Sequence, residues 1–383
     1  MKLRYVIFIL SALALLNGCG KEVNMQAGQE EGTSPILFSA TAPDIQAHTK
    51  TFDPSDVTRP NDPTTLIGVG NSVSVFGVWI PDWAVQTTYE QQFYNRNLRC
   101  DAVYDLDPSD SMDFDPENQN SSLWNYTPLV YWKDTGHYVF LAISPYTAAD
   151  FSLGDEYPYP LSISYRVGTN QDLMAARAYR NRNSEGKDRV QLQFHHLTSA
   201  VRFLFCTATD EGDAYTITGF HLENFSPRGT LTLSSRLTSA IDPSTIGSEG
   251  GWTPGAIGVL NTLFTWEAEP ADPAKVVNCP DDEDDPADYD TQMGWYYMVP
   301  HTLSTAAGSK ASVVFSVSYN GQDPVTTTLD ISDCDGTPGA DTWAPNHVYN
   351  YYIKLNPGGA DLRVETQDWT DVDVTTDSFI FEG

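Results

Sequence analysis

Apolar and polar residues alternate in short runs along most of this chain. That period-two pattern belongs to strands with one covered face. Residues 72–80 (SVSVFGVWI) carry it most strongly. Residues 36–41 show it too, with Ile36, Phe38 and Ala40 on one face and Leu37, Ser39 and Thr41 on the other. Further strands are expected at 91–98, 161–167, 214–222, 229–234, 259–266, 294–300, 349–355 and 362–366. Residues 172–179 fit a short strand or one helical turn. Two hairpins are expected. Asn320-Gly321 joins the alternating runs 311–319 and 325–331, and Asp134-Thr135-Gly136 joins 128–132 to 137–144. Residues 247–255 read as a glycine-rich turn. Residues 43–70 and 268–292 read as long loops, and 101–119 as an acidic insertion.

One run breaks its own rhythm. In 190–206 (VQLQFHHLTSAVRFLFC) Leu192 and Phe194 place the apolar face on even numbers, and Leu197, Val201, Phe203 and Phe205 place it on odd ones. A one-residue phase change requires a bulge or bend, expected near His195–His196. The preceding polar stretch 180–188 (RNRNSEGKD) reads as a linker, so a domain boundary is expected near residue 188. The length of 383 residues suits two domains. No amphipathic helix of ordinary length follows the N-terminal segment. Short strands separated by Gly, Pro and Asn turns predict an all-β chain of β-sandwiches.

The first residues stand apart. Lys2 and Arg4 precede an apolar run that ends in Leu16-Asn17-Gly18-Cys19. A charged start and a short apolar stretch make a secretory signal, residues 1–18. Its end looks like a lipobox, which would make Cys19 the acylated first residue of the mature chain. Residues 19–34 then form a flexible lipidated tether, leaving 35–188 and 189–383 as the two sandwiches. Acyl chains anchor a protein to a membrane without spanning it.

Acidic residues number 51 against 21 basic ones, a net charge of −30. Nucleic acid is therefore excluded as a partner, because phosphate binding needs a basic face. Besides Cys19 the chain has Cys100, Cys206, Cys279 and Cys334, an even set that permits disulfides in an oxidising compartment. Cys206, inside a strand, is expected to be a buried thiol, and a Cys279–Cys334 bridge is possible.

Motifs of catalysis and cofactor binding are missing. There is no nucleophile elbow, zinc-protease pair, phosphate loop or paired-cysteine motif. No catalytic residue, cofactor or metal site is assigned. His195 and His196 point to opposite faces of a strand and are read as structural. The acidic run Asp281-Asp282-Glu283-Asp284-Asp285 lacks the glycine and closing glutamate of a calcium loop and is read as solvated. Trp79, Trp83, Trp124, Trp132, Trp252, Trp295 and Trp343 could stack on sugars or pack in cores. An array of exposed tryptophans would make the chain a surface glycan-binding lipoprotein, the alternative to the reading below. A hydrolase with an unrecognised carboxylate pair is a third reading, and it would need a cleft of converging carboxylates.

Several short motifs recur in a fixed order: Asp172-Leu173-Met174-Ala175-Ala176; Leu192-Gln193-Phe194-His195-His196-Leu197 with Ala200-Val201-Arg202-Phe203; Trp343-Ala344-Pro345-Asn346-His347-Val348-Tyr349-Asn350-Tyr351; and Asp368-Trp369. Set behind a lipobox, they make the chain resemble the fimbrillin-like lipoproteins of Bacteroidetes. Gly20-Lys21-Glu22 is similar to their surface-export signal.

The resemblance implies two tandem transthyretin-like β-sandwiches and a non-enzymatic surface role as pilus subunit, anchor or adhesin. It places the chain at the cell outer membrane or in a fimbrium, held by lipid alone. Its implied partners are other pilin subunits or ligands on host and bacterial surfaces. In polymerising members a protease frees the first strand and a neighbour's C-terminal strand replaces it, a case of β-augmentation. Carried onto this chain, the removable strand is that of Ile36, Phe38 and Ala40. The donor is 371–381, with Val372, Val374, Phe379 and Phe381. The cut falls at Arg59 or Lys50. Pro60 follows Arg59 and makes a poor trypsin-like site, which leaves Lys50 as the nearest basic alternative.

Overall fold

The computed structural model describes residues 34–41, 72–85, 88–103, 122–145, 151–153, 160–167, 171–187, 189–207, 215–234, 239–260, 291–292, 296–332, 341–356 and 359–368. Strands dominate. In chain order they begin with β1 (Phe38–Thr41), β2 (Ser72–Ile80), β3 (Glu90–Val103), β4 (Ser122–Asn125), β5 (His137–Ser144), β6 (Phe151–Leu153), β7 (Pro160–Arg166) and β8 (Met174–Asn181). The run with the phase change gives β9 (Val190–Gln193), β10 (His195–His196) and β11 (Ser199–Thr207). Then come β12 (Tyr215–Phe225), β13 (Arg228–Ser234), β14 (Gly251–Pro254), β15 (Gly258–Leu260), β16 (Thr291–Gln292), β17 (Tyr296–Met298) and β18 (His301–Thr302). The last are β19 (Ser312–Tyr319), β20 (Val325–Asp330), β21 (Thr342–Trp343), β22 (His347–Asn356) and β23 (Gly359–Asp368). Among the described residues no helix is long and apolar enough to cross a membrane.

Eight strands form the first sheet, in the order β10-β8-β5-β2-β3-β4-β1-β9. Only Phe194 separates β9 from β10, so one residue joins the two ends of the sheet and the sheet rolls on itself. The alternation of side chains gives the roll an inside. Phe38, Val73, Val75, Phe93, Trp124, Phe140, Ala176, Leu192 and Phe194 belong to one buried cluster within it. Gly77 of β2 belongs here for a steric reason: a Cβ at that position would lie 2.9 Å from both Phe93 and Phe140.

The outer face of the roll is apolar as well, through Phe76, Leu141, Ile143 and Ala175. It is covered by a four-stranded sheet in the order β14-β13-β7-β6, whose Leu161, Ile163, Leu231 and Leu233 join the same core. That core continues between two further sheets. One has the order β16-β11-β22-β23, with β17 also paired to β11, and the other β15-β12-β19-β20. Phe203, Phe205, Tyr351 and Ile353 on one side meet Ile217, Leu222, Val313 and Phe315 on the other. Strands are thus packed as face-to-face layers, the arrangement expected of an all-β chain.

Sheet membership runs across residue 188. β9 pairs in parallel with β1, from Phe38↔Val190 to Thr41↔Gln193. β10 pairs with β8, and β13 with β7 along its whole length. The passage to the next sheet comes only at Leu197 and Thr198, after which β11 pairs in parallel with β22 from Ser199↔His347 to Thr207↔Leu355. The phase change read at His195–His196 therefore marks the point where the chain leaves one sheet for another.

Three local expectations are corrected. Residues 128–132 do not form a hairpin with β5, which pairs with β2 and β8. Proline 128 offers no N–H, and the run instead meets the segment before β1: Ile36 N–H donates to Val130 O at 2.8 Å and Trp132 N–H to Ser34 O at 3.1 Å. The glycine-rich stretch 247–255 contains the strand β14 after a single 3-10 turn, with Gly250 and Gly251 at positive φ making the corner. Cys206 is buried but is disulfide-bonded rather than a thiol. Alkylation of the unfolded chain is therefore expected to label Cys206 only after reduction, read by peptide mass.

Candidate strand-exchange groove and the crossing between sheets

The first strand sits inside a groove rather than on an edge. β1 lies between β4, met antiparallel at Phe38↔Trp124, and β9, met in parallel over four residue pairs. Ile36, Phe38 and Ala40 are fully buried, because their period-two spacing aims all three into the roll. The Phe38 ring meets Phe93, Tyr126 and Phe140 edge to face at 5.5, 5.9 and 5.4 Å between centroids. Backbone bonds hold the flanks: Val190 N–H donates to Leu37 O at 2.8 Å, and the Tyr126 hydroxyl donates to Ile36 O at 2.8 Å. Burial pushes the Tyr126 hydroxyl pKa up to about 12, so it remains a donor at any physiological pH. Pockets for alternate side chains and a double row of backbone partners are what strand addition uses. Sequence reasoning located β1 but missed Tyr126, Val130 and Val190 as its seat. Their pairing is long-range and leaves no local signal.

Cys19, the candidate lipidation site, and Lys50, Arg59, Val372, Val374, Phe379 and Phe381, carried over for strand exchange, lie outside the described residues. So does the acidic run 281–285. Trp124, Trp132 and Trp343 are fully buried, and Trp79, Trp83 and Trp252 are half-buried. Among the described residues no row of exposed tryptophans exists, and no group of His, Cys, Asp and Glu is arranged to hold a metal.

A second arrangement lies where the chain crosses between sheets. His196 Nδ1 is 2.6 Å from Asp172 Oδ2, and the Thr198 hydroxyl donates to Asp172 Oδ1 at 2.8 Å, all three buried. Around them the Trp252 indole N–H donates to Leu197 O at 2.6 Å, Asn346 N–H to Thr198 O at 3.1 Å, and the Ser199 hydroxyl to Ala344 O at 2.8 Å. The Trp343 indole donates to the Tyr351 hydroxyl at 2.9 Å. Asp172, His196 and the 343–351 segment, far apart in sequence, meet here. Buried polar groups need partners, and here Asp172, His196, Thr198 and Ser199 have theirs. The arrangement ties together strands that lie far apart in sequence.

His195, beside it, points the other way and is partly buried. Burial and the neighbouring His196 lower its pKa below the ordinary 6.5, against the opposing charge of Asp242. Burial lowers His301 likewise, against its bond to the Val299 carbonyl. An unfolded chain takes up these protons first as pH falls. Their contribution is complete above about pH 6.5 and is lost as pH drops toward the lowered values. The thermal midpoint is expected to fall between pH 7 and 5.5, above the carboxylate range. Part of that slope should vanish in a His195→Gln, His301→Gln variant.

Residues 105–369, well over half of the chain, match a family model described as fimbrillin-like. No curated protein matches. Among solved structures, a fimbrial protein from Bacteroides vulgatus is similar at 14% identity and a TM-score of 0.49, covering 87% of this chain and 99% of its own. The tip fimbrial protein Mfa3 from Porphyromonas gingivalis, with a C-terminal truncation, is similar at 11% identity and a TM-score of 0.37, covering 87% and 99%. A fimbrial assembly protein from Parabacteroides distasonis is similar at 8% and 0.37, covering 87% and 96%. The motifs brought together at the crossing lie within the matched residues, and on that match the chain belongs to the fimbrillin-like family.

Proposed function

We propose that this chain is a surface-exposed lipoprotein of fimbrillin type, working without catalysis as a pilus subunit, anchor or adhesin by β-strand addition. Cys19 carries the lipid and holds the chain at the outer membrane. Residues 35–188 and 189–383 are its two units, with β9, β10, β13 and β14 of the second completing the first. The observation that carries the reading is the seat of β1: a short strand whose Ile36, Phe38 and Ala40 fill a groove between β4 and β9. Such a groove, once emptied, would leave two rows of backbone partners and three apolar pockets open to another strand. Cleavage at Lys50 or Arg59 would empty it, and residues 371–381 of a neighbour, through Val372, Val374, Phe379 and Phe381, would fill it. Other subunits of the same assembly are the partners this implies.

Surface fractions run on an SDS gel without boiling, with N-terminal sequencing of each band, test the reading. The expected result is a ladder of multimers whose mature N-terminus follows Lys50 or Arg59. A single acylated band starting at Cys19 would remove strand exchange and leave an anchored adhesin.

A further inference from the structure

The sheet β16-β11-β22-β23 turns one face to the core it shares with β15-β12-β19-β20. Its other face is hidden too. Two buried clusters lie there, Ala200, Tyr297 and Val348 in one and Leu204, Cys206 and Tyr352 in the other, and both are made of residues of the sheet itself. Leu204, Cys206 and Tyr352 are 2%, 0% and 5% exposed. The Arg202 Nε donates to Asn350 Oδ1 at 3.2 Å on the same face, and both residues are buried. Register sets these side chains in rows: Arg202↔Asn350, Leu204↔Tyr352 and Cys206↔Lys354. Side chains standing on one sheet face do not hide one another from water. A further layer has to lie on them.

A covalent bond on this face narrows what that layer is. Cys206 is disulfide-bonded, and bonded cysteines bring their Cα atoms within about 7 Å. Cys100 belongs to β3, inside the roll, where it pairs with Trp124. β11 has left the roll by Ser199, and Cys206 lies roughly 23 Å further along the strand. Cys334 stands at the wrong end as well. Ile331 N–H donates to Ala311 O, Ala311 N–H to Ser304 O, and Leu303 N–H to Asp341 O. From Asp341 the chain runs on to Ala344, whose carbonyl accepts the Ser199 hydroxyl. These contacts fix Ile331 and Ser332 at the Ser199 end of β11. Cys334 follows two residues later, a reach of about 7 Å.

Cys279 is placed differently. β16 lies against the far end of β11, with Phe205↔Thr291 and Leu204↔Gln292 in register. Thr291 is thus one step from Cys206, and the chain between Cys279 and Thr291 is long enough to bring the two sulfurs together. Residues 261–290 connect β15, at the edge of the facing sheet, to β16, at the edge of this one. The acidic run 281–285 comes directly after Cys279-Pro280. Arg202 and Lys354 share the face by the alternation of side chains, and carboxylates complement them.

We propose that Cys206 and Cys279 form a disulfide, and that this bond seats residues 261–290 on the outer face of the sheet. The two thiols give up two protons and two electrons to a disulfide-bearing oxidant, which becomes a dithiol as the sulfur–sulfur bond forms. The pairing takes Cys279 away from Cys334. It goes beyond the reading above and holds whether or not strands are exchanged. The native protein, purified from the cells that make it, is alkylated, digested with trypsin without reduction and mapped by mass. Peptide 203–228 is expected joined to 276–310. Its joining to 100–133, to 311–354 or to the N-terminal peptide of Cys19, or its recovery alone, would overturn the pairing. A trypsin pulse on the folded chain reads the seat. It reports cutting after Lys275, the one Lys or Arg between Arg236 and Lys310. At least tenfold faster cutting is expected once the bond is reduced, and Cys279→Ser should reproduce it without reductant. An unchanged rate beside the expected map would show that the bond holds nothing on the face. The map and the pulse on the unaltered chain decide the matter if the variant does not fold.

Discussion

Phe38→Ala is expected to destabilise the folded chain by about 3–5 kcal/mol, the range for removing a fully buried aromatic ring. The ring is enclosed by Phe93, Tyr126 and Phe140 in edge-to-face contact. These neighbours belong to different strands or their flanks, so they cannot close the space together. β1 is also the strand that couples β4 to β9, and loosening it loosens the closure of the roll. Urea unfolding followed by tryptophan fluorescence reads the loss, with Trp124 and Trp132 as buried reporters in the same cluster. Leu37→Ala, at the half-buried residue just before the strand, should cost well under half as much. Equal losses at Leu37 and Phe38 would mean that the alternate pockets do not set the stability of this strand.

Asp172→Ala should cost a similar amount, about 3–5 kcal/mol, for an electrostatic reason. The carboxylate receives His196 on one oxygen and Thr198 on the other, with both partners fully buried. Its removal strands an imidazole and a hydroxyl away from water, and each unsatisfied group carries its own desolvation cost. Asp172→Asn keeps the size and one acceptor and should lose less. Because these residues stand where β10 gives way to β11, the Ala variant is expected to split calorimetric unfolding into two transitions. A single, merely shifted transition would show that the crossing does not couple the sheets.

The elements most legible in the sequence were those whose signal is local. Residues 72–80 alternate and form β2 with the same ends. Asn320 and Gly321 both adopt positive φ, as the hairpin of β19 and β20 requires. The even face of Ile36, Phe38 and Ala40 is the buried one. The phase slip at His195–His196 was visible because a strand has only two faces, but its meaning was not. A bulge within one sheet and a move to another look the same in one dimension. The parallel pairs β1–β9 and β11–β22, and the union of β7 with β13, join segments far apart in sequence, and no turn residue announces them. Residues 128–132 misled for the converse reason: an apolar run and a turn nearby suggested a hairpin, while the partner lay ahead of β1.

The parallel register of β1 and β9 has a mechanical corollary. Tension drawn between the segment preceding β1 and the sheets entered through β11 pulls these two strands lengthwise in opposite directions. The pairs from Phe38↔Val190 to Thr41↔Gln193 then bear the load together instead of parting one after another. A molecule exposed to flow would resist detachment at this joint by sliding friction along a whole strand, not by the strength of its first bond.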